Sequence, residues 1–110
     1  MKHHLDIYIE GKVRKADFNY YSQKAANRFG INAVYKNGDS RHVDLEIEGD
    51  TEAIKNFVEY IKNGPLEKFI ESFRTEKGEF VNIHGFTSLR VHKDKESLIE
   101  KIFGKKKKFY

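Results

Sequence analysis

"EGDTEAIKNFVEYIKNGP", residues 48–65, carries both ends of a helix and its buried stripe. Asp50 stands where an N-cap accepts from the first free backbone N–H groups, and Glu52 adds negative charge to the first turn. Ile54, Phe57, Val58 and Ile61 recur at spacings of three and four, which puts them on one face of a 3.6-residue period. Gly64-Pro65 ends the run, because proline cannot continue the helical ladder. Just upstream, Val43, Leu45 and Ile47 alternate with Asp44, Glu46 and Glu48. That period of two is a half-buried strand whose carboxylates face solvent. A strand feeding an amphipathic helix is half of a split βαβ unit.

The same grammar runs earlier in the chain. Leu5, Ile7 and Ile9 alternate with Asp6, Tyr8 and Glu10, giving a first strand. Phe18, Tyr21, Ala25 and Phe29 then mark the apolar face of a helix that Asp17 or Asn19 caps and Gly30 stops. A second strand passes through Ala33 and Tyr35, and "NGDS" (37–40) makes a turn, since Asn and Gly tolerate positive φ. A fourth strand is expected within 68–82, and a short last one holds Phe86, Leu89 and Val91. The order β-α-β-β-α-β plus a short strand predicts an α+β, ferredoxin-like sandwich: an antiparallel sheet with two helices on one face.

The domain is expected over residues 1–92. Residues 93–110 read as an appended amphipathic helix (Leu98, Ile99, Ile102, Phe103) and a basic tail, "KKKKFY". They hold seven lysines against three acids, a surplus equal to the whole net charge of +4. The body is therefore neutral, and a general nucleic-acid surface on it is not suggested. The tail's partner is left open between a membrane surface, nucleic acid, another protein and none.

A chain of 110 residues supports one modest core. The absence of cysteine excludes disulfides, thiolate metal sites and a cysteine nucleophile, and fits the cytoplasm. No 18-residue apolar run suggests a membrane span, and the alternating N-terminus lacks the apolar core of a signal peptide. A monomer is expected. His3, His4, His42, His84 and His92 show no helical metal-ligand spacing and read as surface or structural groups, so no metal and no cofactor is implied.

"GKVRKADFN", residues 11–19, lies between the first strand and the first helix. Backbone N–H groups at a helix N-terminus favour anions, and Arg14 and Lys15 add positive charge. Asp17 opposes both, by repelling an anion or by capping the same N–H groups. The residues alone allow a capped turn, a weak anion site formed by Arg14, Lys15, Ala16, Asp17 and Phe18, or a site in which Arg14 or Lys15 serves as the main cation.

Three stretches together resemble the acylphosphatase family. In 48–65 the matching residues are Glu48-Gly49, Ile54, Phe57, Tyr60-Ile61 and Gly64-Pro65. In 11–19, Gly11, Val13 and Phe18 match the family's Gly-x-Val-Gln-Gly-Val-x-Phe-Arg. In "AANRFGINAVYKN" (25–37), Gly30 and Asn37 match, with Phe29 and Ile31 as conservative replacements, and the spacing from Asn37 to Val43 is kept. The resemblance covers about residues 5–91. It implies hydrolysis of acyl phosphates, the mixed anhydrides of carboxylate and phosphate, without metal or covalent intermediate. A backbone cradle and a terminal arginine would hold the phosphate, an asparagine would orient water, and the substrate's own phosphate would take the proton.

The resemblance also locates departures. Asn19 stands at the arginine position, Arg14-Lys15-Ala16 replaces Gln-Gly-Val, Asp17 follows, and Ser40-Arg41 replaces the hairpin's Asp-Gly. Asn37 alone keeps a catalytic identity. The expectation is a family member with activity lost or greatly reduced, taking a small acyl phosphate or phosphate anion weakly. The alternatives are an active enzyme using a substitute cation and an interaction module acting through its tail.

Overall fold

The alternation in the first strand sets the layers. In β1 (Lys2–Gly11), Ile7 and Ile9 are buried on one face, while Asp6, Tyr8 and Glu10 take the other. β1 pairs antiparallel with β3 (His42–Asp50), where Val43, Leu45 and Ile47 meet the same core. β2 (Asn32–Asn37) and β4 (Ile70–Gly78) flank this pair, both antiparallel to it. The computed structural model describes residues 1–13 and 16–90. Val91 and the amphipathic helix and tail read at 93–110 lie outside them.

Both helices cover one face. α1 (Phe18–Phe29) contributes Phe18, Ala25 and Ala26 to the core, and α2 (Thr51–Asn63) contributes Phe57 and Ile61. The stripes expected from sequence are therefore the packed faces, with Tyr21, Phe29, Ile54 and Val58 half-buried at their edges. Burying a large aliphatic or aromatic side chain contributes roughly 1.5–3 kcal/mol, so these stripes outweigh any preference of the chain ends. Asp17 caps α1: its carboxylate accepts the Tyr20 N–H at 3.3 Å. Gly30 closes α1 in the left-handed conformation, at φ 70° and ψ 39°. Asp50 is the N-cap of α2 but makes no side-chain capping bond.

The sheet order is β4-β1-β3-β2-β5. The first four strands form the expected antiparallel ferredoxin-like sheet. The last, β5 (Phe86–Arg90), joins the β2 edge parallel to it, so the five-stranded sheet is mixed. A short 3₁₀ turn at Glu67–Phe69, not foreseen from sequence, leads α2 into β4. No helix among the described residues is long and apolar enough to cross a membrane.

Candidate functional site

Ala16 and Asp17 lead the chain into α1, and the buried Phe18 anchors its first turn. Arg14 and Lys15 lie outside the described residues. At the near end of the loop, the Gly11 N–H donates to the Arg41 carbonyl and the Lys12 N–H to the Phe69 carbonyl, each at 2.9 Å. These two donors are thus used by the protein itself. At the far end, Asp17 remains exposed while capping the helix.

Asn19 turns toward the sheet. Its amide donates to the Ser88 hydroxyl on β5 at 2.8 Å. Ser88 is in register with Tyr35 on β2, and Asn37 lies two residues further on that strand, about 7 Å along it and on the same face. The fold therefore gathers Asn19 and Asn37 at one end of the helix-covered face, beside β2 and β5. Asn37 is exposed and ends β2.

Two readings of the hairpin change. The turn occupies 38–41 rather than 37–40, and neither Asn37 nor Gly38 has positive φ. Turn geometry therefore does not demand asparagine at 37. Arg41, which stands in the hairpin, pairs its guanidinium with Glu71. Sequence reasoning missed Ser88 and Arg90, the latter in register with Asn37 across the parallel β2–β5 pair. Their placement depends on which edge β5 joins, and no local pattern carries that information.

Charge at this end is set partly by Asp17. Tyr35 is buried, and burial pushes its hydroxyl far above the ordinary tyrosine range, with the negative charge of Asp17 adding to the shift. Tyr35 is thus a neutral phenol that feels the negative charge of Asp17.

The opposite face of the sheet holds a second constellation. His4 and Glu48 are cross-strand partners, as are Asp6 and Glu46. The His4 Nδ1 lies 2.7 Å from Glu48 Oε2, and its Nε2 lies 2.9 Å from Asp6 Oδ1 and 3.5 Å from Glu46 Oε1. Glu48 also accepts the Val81 N–H at 2.7 Å and the Ile83 N–H at 2.6 Å. The solvent-face reading of the β3 carboxylates is thereby corrected: Asp44 and Glu46 are half-buried, and Glu48 is 1% exposed. Segment 79–84 folds over it and supplies the two backbone donors.

Burial alone would raise the Glu48 carboxyl, but the bonds from Val81, His4 and Ile83 outweigh it and hold it below its ordinary range. Burial pulls His4 down, but its bonds to Glu48 and Asp6 prevail and raise it. A cleft of about 410 Å³ adjoins His4, lined also by Lys2, Leu5, Thr51, Ile54 and Phe80, away from Asn19 and Asn37.

Two layers, split βαβ units and an asparagine beside the first loop define an acylphosphatase-like α+β domain. The family model described as acylphosphatase matches residues 5–88, and the chain belongs to that family. The acylphosphatase of Bacillus subtilis (strain 168) is 32% identical over 82 residues, covering 74% of this chain and 90% of the relative. That of Pyrobaculum islandicum is 32% identical over 79 residues, covering 67% and 83%. The crystal structure of acylphosphatase from Bacillus subtilis superposes with a TM-score of 0.72 at 26% identity, covering 81% of this chain and 99% of that one. Full-length HypF in its phosphate- and nucleotide-bound form gives 0.77 at 20% identity, covering 84% of this chain and 12% of that chain, a likeness of fold.

Proposed function

We propose that this acylphosphatase-family chain keeps the fold but has lost, or greatly reduced, hydrolysis of acyl phosphates. The observation that carries the reading is the Asn19 amide tied to Ser88 at the position where the family pattern has arginine. A guanidinium offers two parallel donors and a full charge, and it holds a phosphoryl group more tightly as charge builds in the transition state. A neutral amide already donating elsewhere offers neither. Removing one preorganised donor costs about 100–1,000-fold in rate, roughly 3–4 kcal/mol. Asp17, exposed beside the loop, adds repulsion. On this reading the ligand is a small acyl phosphate or a phosphate anion, bound weakly by a monomer in the cytoplasm.

A second reading, an active enzyme with a substitute cation, is favoured by one observation. Arg90 sits in register with Asn37 at the same end of the sheet. Arg14 and Lys15 are further candidates by sequence. Benzoyl phosphate hydrolysis by wild type, Asn19→Arg, Asn37→Ala and Arg90→Ala separates the two. The reduced-activity reading expects a wild-type rate at least about 100-fold below that of the Bacillus subtilis relative, as loss of one donor would give. It also expects a gain in Asn19→Arg that Asn37→Ala abolishes. A wild-type rate equal to the relative's overturns it, and loss of that rate in Arg90→Ala would assign the substitute cation.

A further inference from the structure

The cluster on the uncovered face has the anatomy of a metal-binding site. Glu48 is an acceptor on both oxygens, since each takes a backbone N–H. The ring nitrogen facing it, His4 Nδ1, therefore carries a hydrogen and donates. In the neutral imidazole this leaves the Nε2 lone pair directed at Asp6 Oδ1 and Glu46 Oε1, two acceptors that have no hydrogen to give. The side chain of His4 is only 5% exposed, so water does not readily satisfy it. Something positive belongs between these three atoms, either a proton or a metal cation.

We propose that His4 Nε2, Asp6 and Glu46 bind a divalent transition-metal ion of the Zn²⁺ class, with Glu48 orienting the histidine from behind. The three ligand atoms lie within 4.8 Å of one another. Zn²⁺ holds N and O ligands at about 2.0–2.2 Å, which sets the corners of a tetrahedron roughly 3.3–3.6 Å apart. Of the observed Nε2–oxygen separations, 3.5 Å falls within that range and 2.9 Å lies a few tenths of an ångström below it, so small side-chain shifts bring the histidine to ligand spacing from both carboxylates. A histidine whose other ring N–H goes to a carboxylate is the usual way a ligand tautomer and ring plane are fixed. One imidazole and two carboxylates suit Zn²⁺ and its borderline neighbours better than Ca²⁺ or Mg²⁺.

The surroundings fit a dication. Among the described residues of this face, strand alternation places Asp6, Glu10, Asp44, Glu46, Glu48, Asp50 and Glu76 against Lys2, Lys36 and Arg74. Lys36 pairs with Glu46 through Oε2 and leaves Oε1 for the metal. Arg74 pairs with Glu76 at 3.0 Å. Gly78 stands opposite His4 on β4, and a Cβ there would lie 2.6 Å from the imidazole Cδ2, so the strand closes on the ring only because that residue is glycine. The outer side opens on a cleft of about 200 Å³ lined by Asp6, Tyr8, Lys36, Asp44 and Glu46, which gives water or an exogenous donor the fourth position. The ion would join β1 to β3 and, through Glu48, to the backbone at 81–83.

The test is calorimetric titration of ZnCl₂ into the full chain, with circular dichroism to verify folding of each variant. One Zn²⁺ per chain is expected. Asp6→Asn and Glu46→Gln should each weaken it at least about 10-fold, the lower bound for disturbing even an outer partner of a metal ligand. His42→Ala, which removes the exposed histidine beside Asp39, should leave it unchanged. Lys36→Met should tighten it by removing a competing cation. Cobalt(II) should broaden backbone NMR signals first around residues 4–6 and 46–48. Absence of saturable binding, or binding that survives both carboxylate substitutions, overturns the proposal.

Discussion

Glu48→Gln is the sharpest probe of how the uncovered face is held together. The carboxylate is 1% exposed and meets three donors: His4 Nδ1, Val81 N–H and Ile83 N–H, all within 2.7 Å. Glutamine keeps the volume, so no cavity forms. Its single carbonyl oxygen serves one side of the group, while its NH₂ confronts donors on the other. At least one buried donor is left unmet, at roughly 1–3 kcal/mol, and the remaining bonds lose charge assistance. Breaking one side of a buried ionic network costs about 3–5 kcal/mol, and the same range is expected here. For a domain of this size that lowers the melting temperature by about 15–25 °C. The assay is thermal unfolding followed by circular dichroism, with EDTA present so that metal plays no part. Amide exchange at Val81 and Ile83 should accelerate with it. Glu46→Gln is the control, because its pair with Lys36 is partly exposed and such pairs contribute under about 1 kcal/mol, while its contact with His4 is the long one, at 3.5 Å. A Glu48→Gln melting point within 3 °C or so of wild type would refute the account, since it would mean the three bonds contribute less than about 1 kcal/mol together.

Two glycines differ in crowding: both have positive φ, but only Gly11 is also hemmed in by backbone. Ala at Gly11 would put Cβ 2.1 Å from the Phe69 carbonyl oxygen, so Gly11→Ala should cost about 2–3 kcal/mol in denaturant unfolding and disturb the β1–β4 end. Gly30→Ala has open space and only left-handed backbone to fear, and should cost about 1–2 kcal/mol. Asp17→Ala should lose about 0.5–1 kcal/mol of stability with the α1 cap. It should at the same time bind phosphate more tightly in a titration followed by NMR; unchanged affinity would remove Asp17 from the anion argument.

The helix-side architecture was legible because its signals are local. Stripes such as Ile54, Phe57, Val58 and Ile61 name a buried face without reference to any other part of the chain, and Asp17, Gly30 and Gly64 punctuate the helices where they end. Strand pairing is different in kind. Nothing near Phe86 says that β5 runs parallel to β2, yet that choice brings Ser88 to Asn19 and Arg90 level with Asn37. Glu48 was misread for the same reason. Alternation correctly put it on the polar face, but its burial comes from residues 79–84, more than thirty positions away. The family pattern, in turn, pointed to position 19 without revealing that its asparagine is engaged with β5.

The two faces of the sheet are chemically separable, and the alternation of strands is the reason. On β3, Val43, Leu45 and Ile47 serve the helix side, while Asp44, Glu46 and Glu48 serve the other. A residue on one face has no side-chain path to the opposite cluster except through a close-packed core that includes Ile7, Leu45 and Ile47, each at most 1% exposed. Substitutions at Asn19 and at Glu46 should therefore act independently. The double variant Asn19→Arg/Glu46→Gln should show the sum of the single effects on stability to within about 0.5 kcal/mol, as sites without shared partners do. It should also show the hydrolytic rate of Asn19→Arg alone. A coupling above about 1 kcal/mol would mean that the sheet transmits strain between its faces, and that the uncovered cluster influences the loop after all.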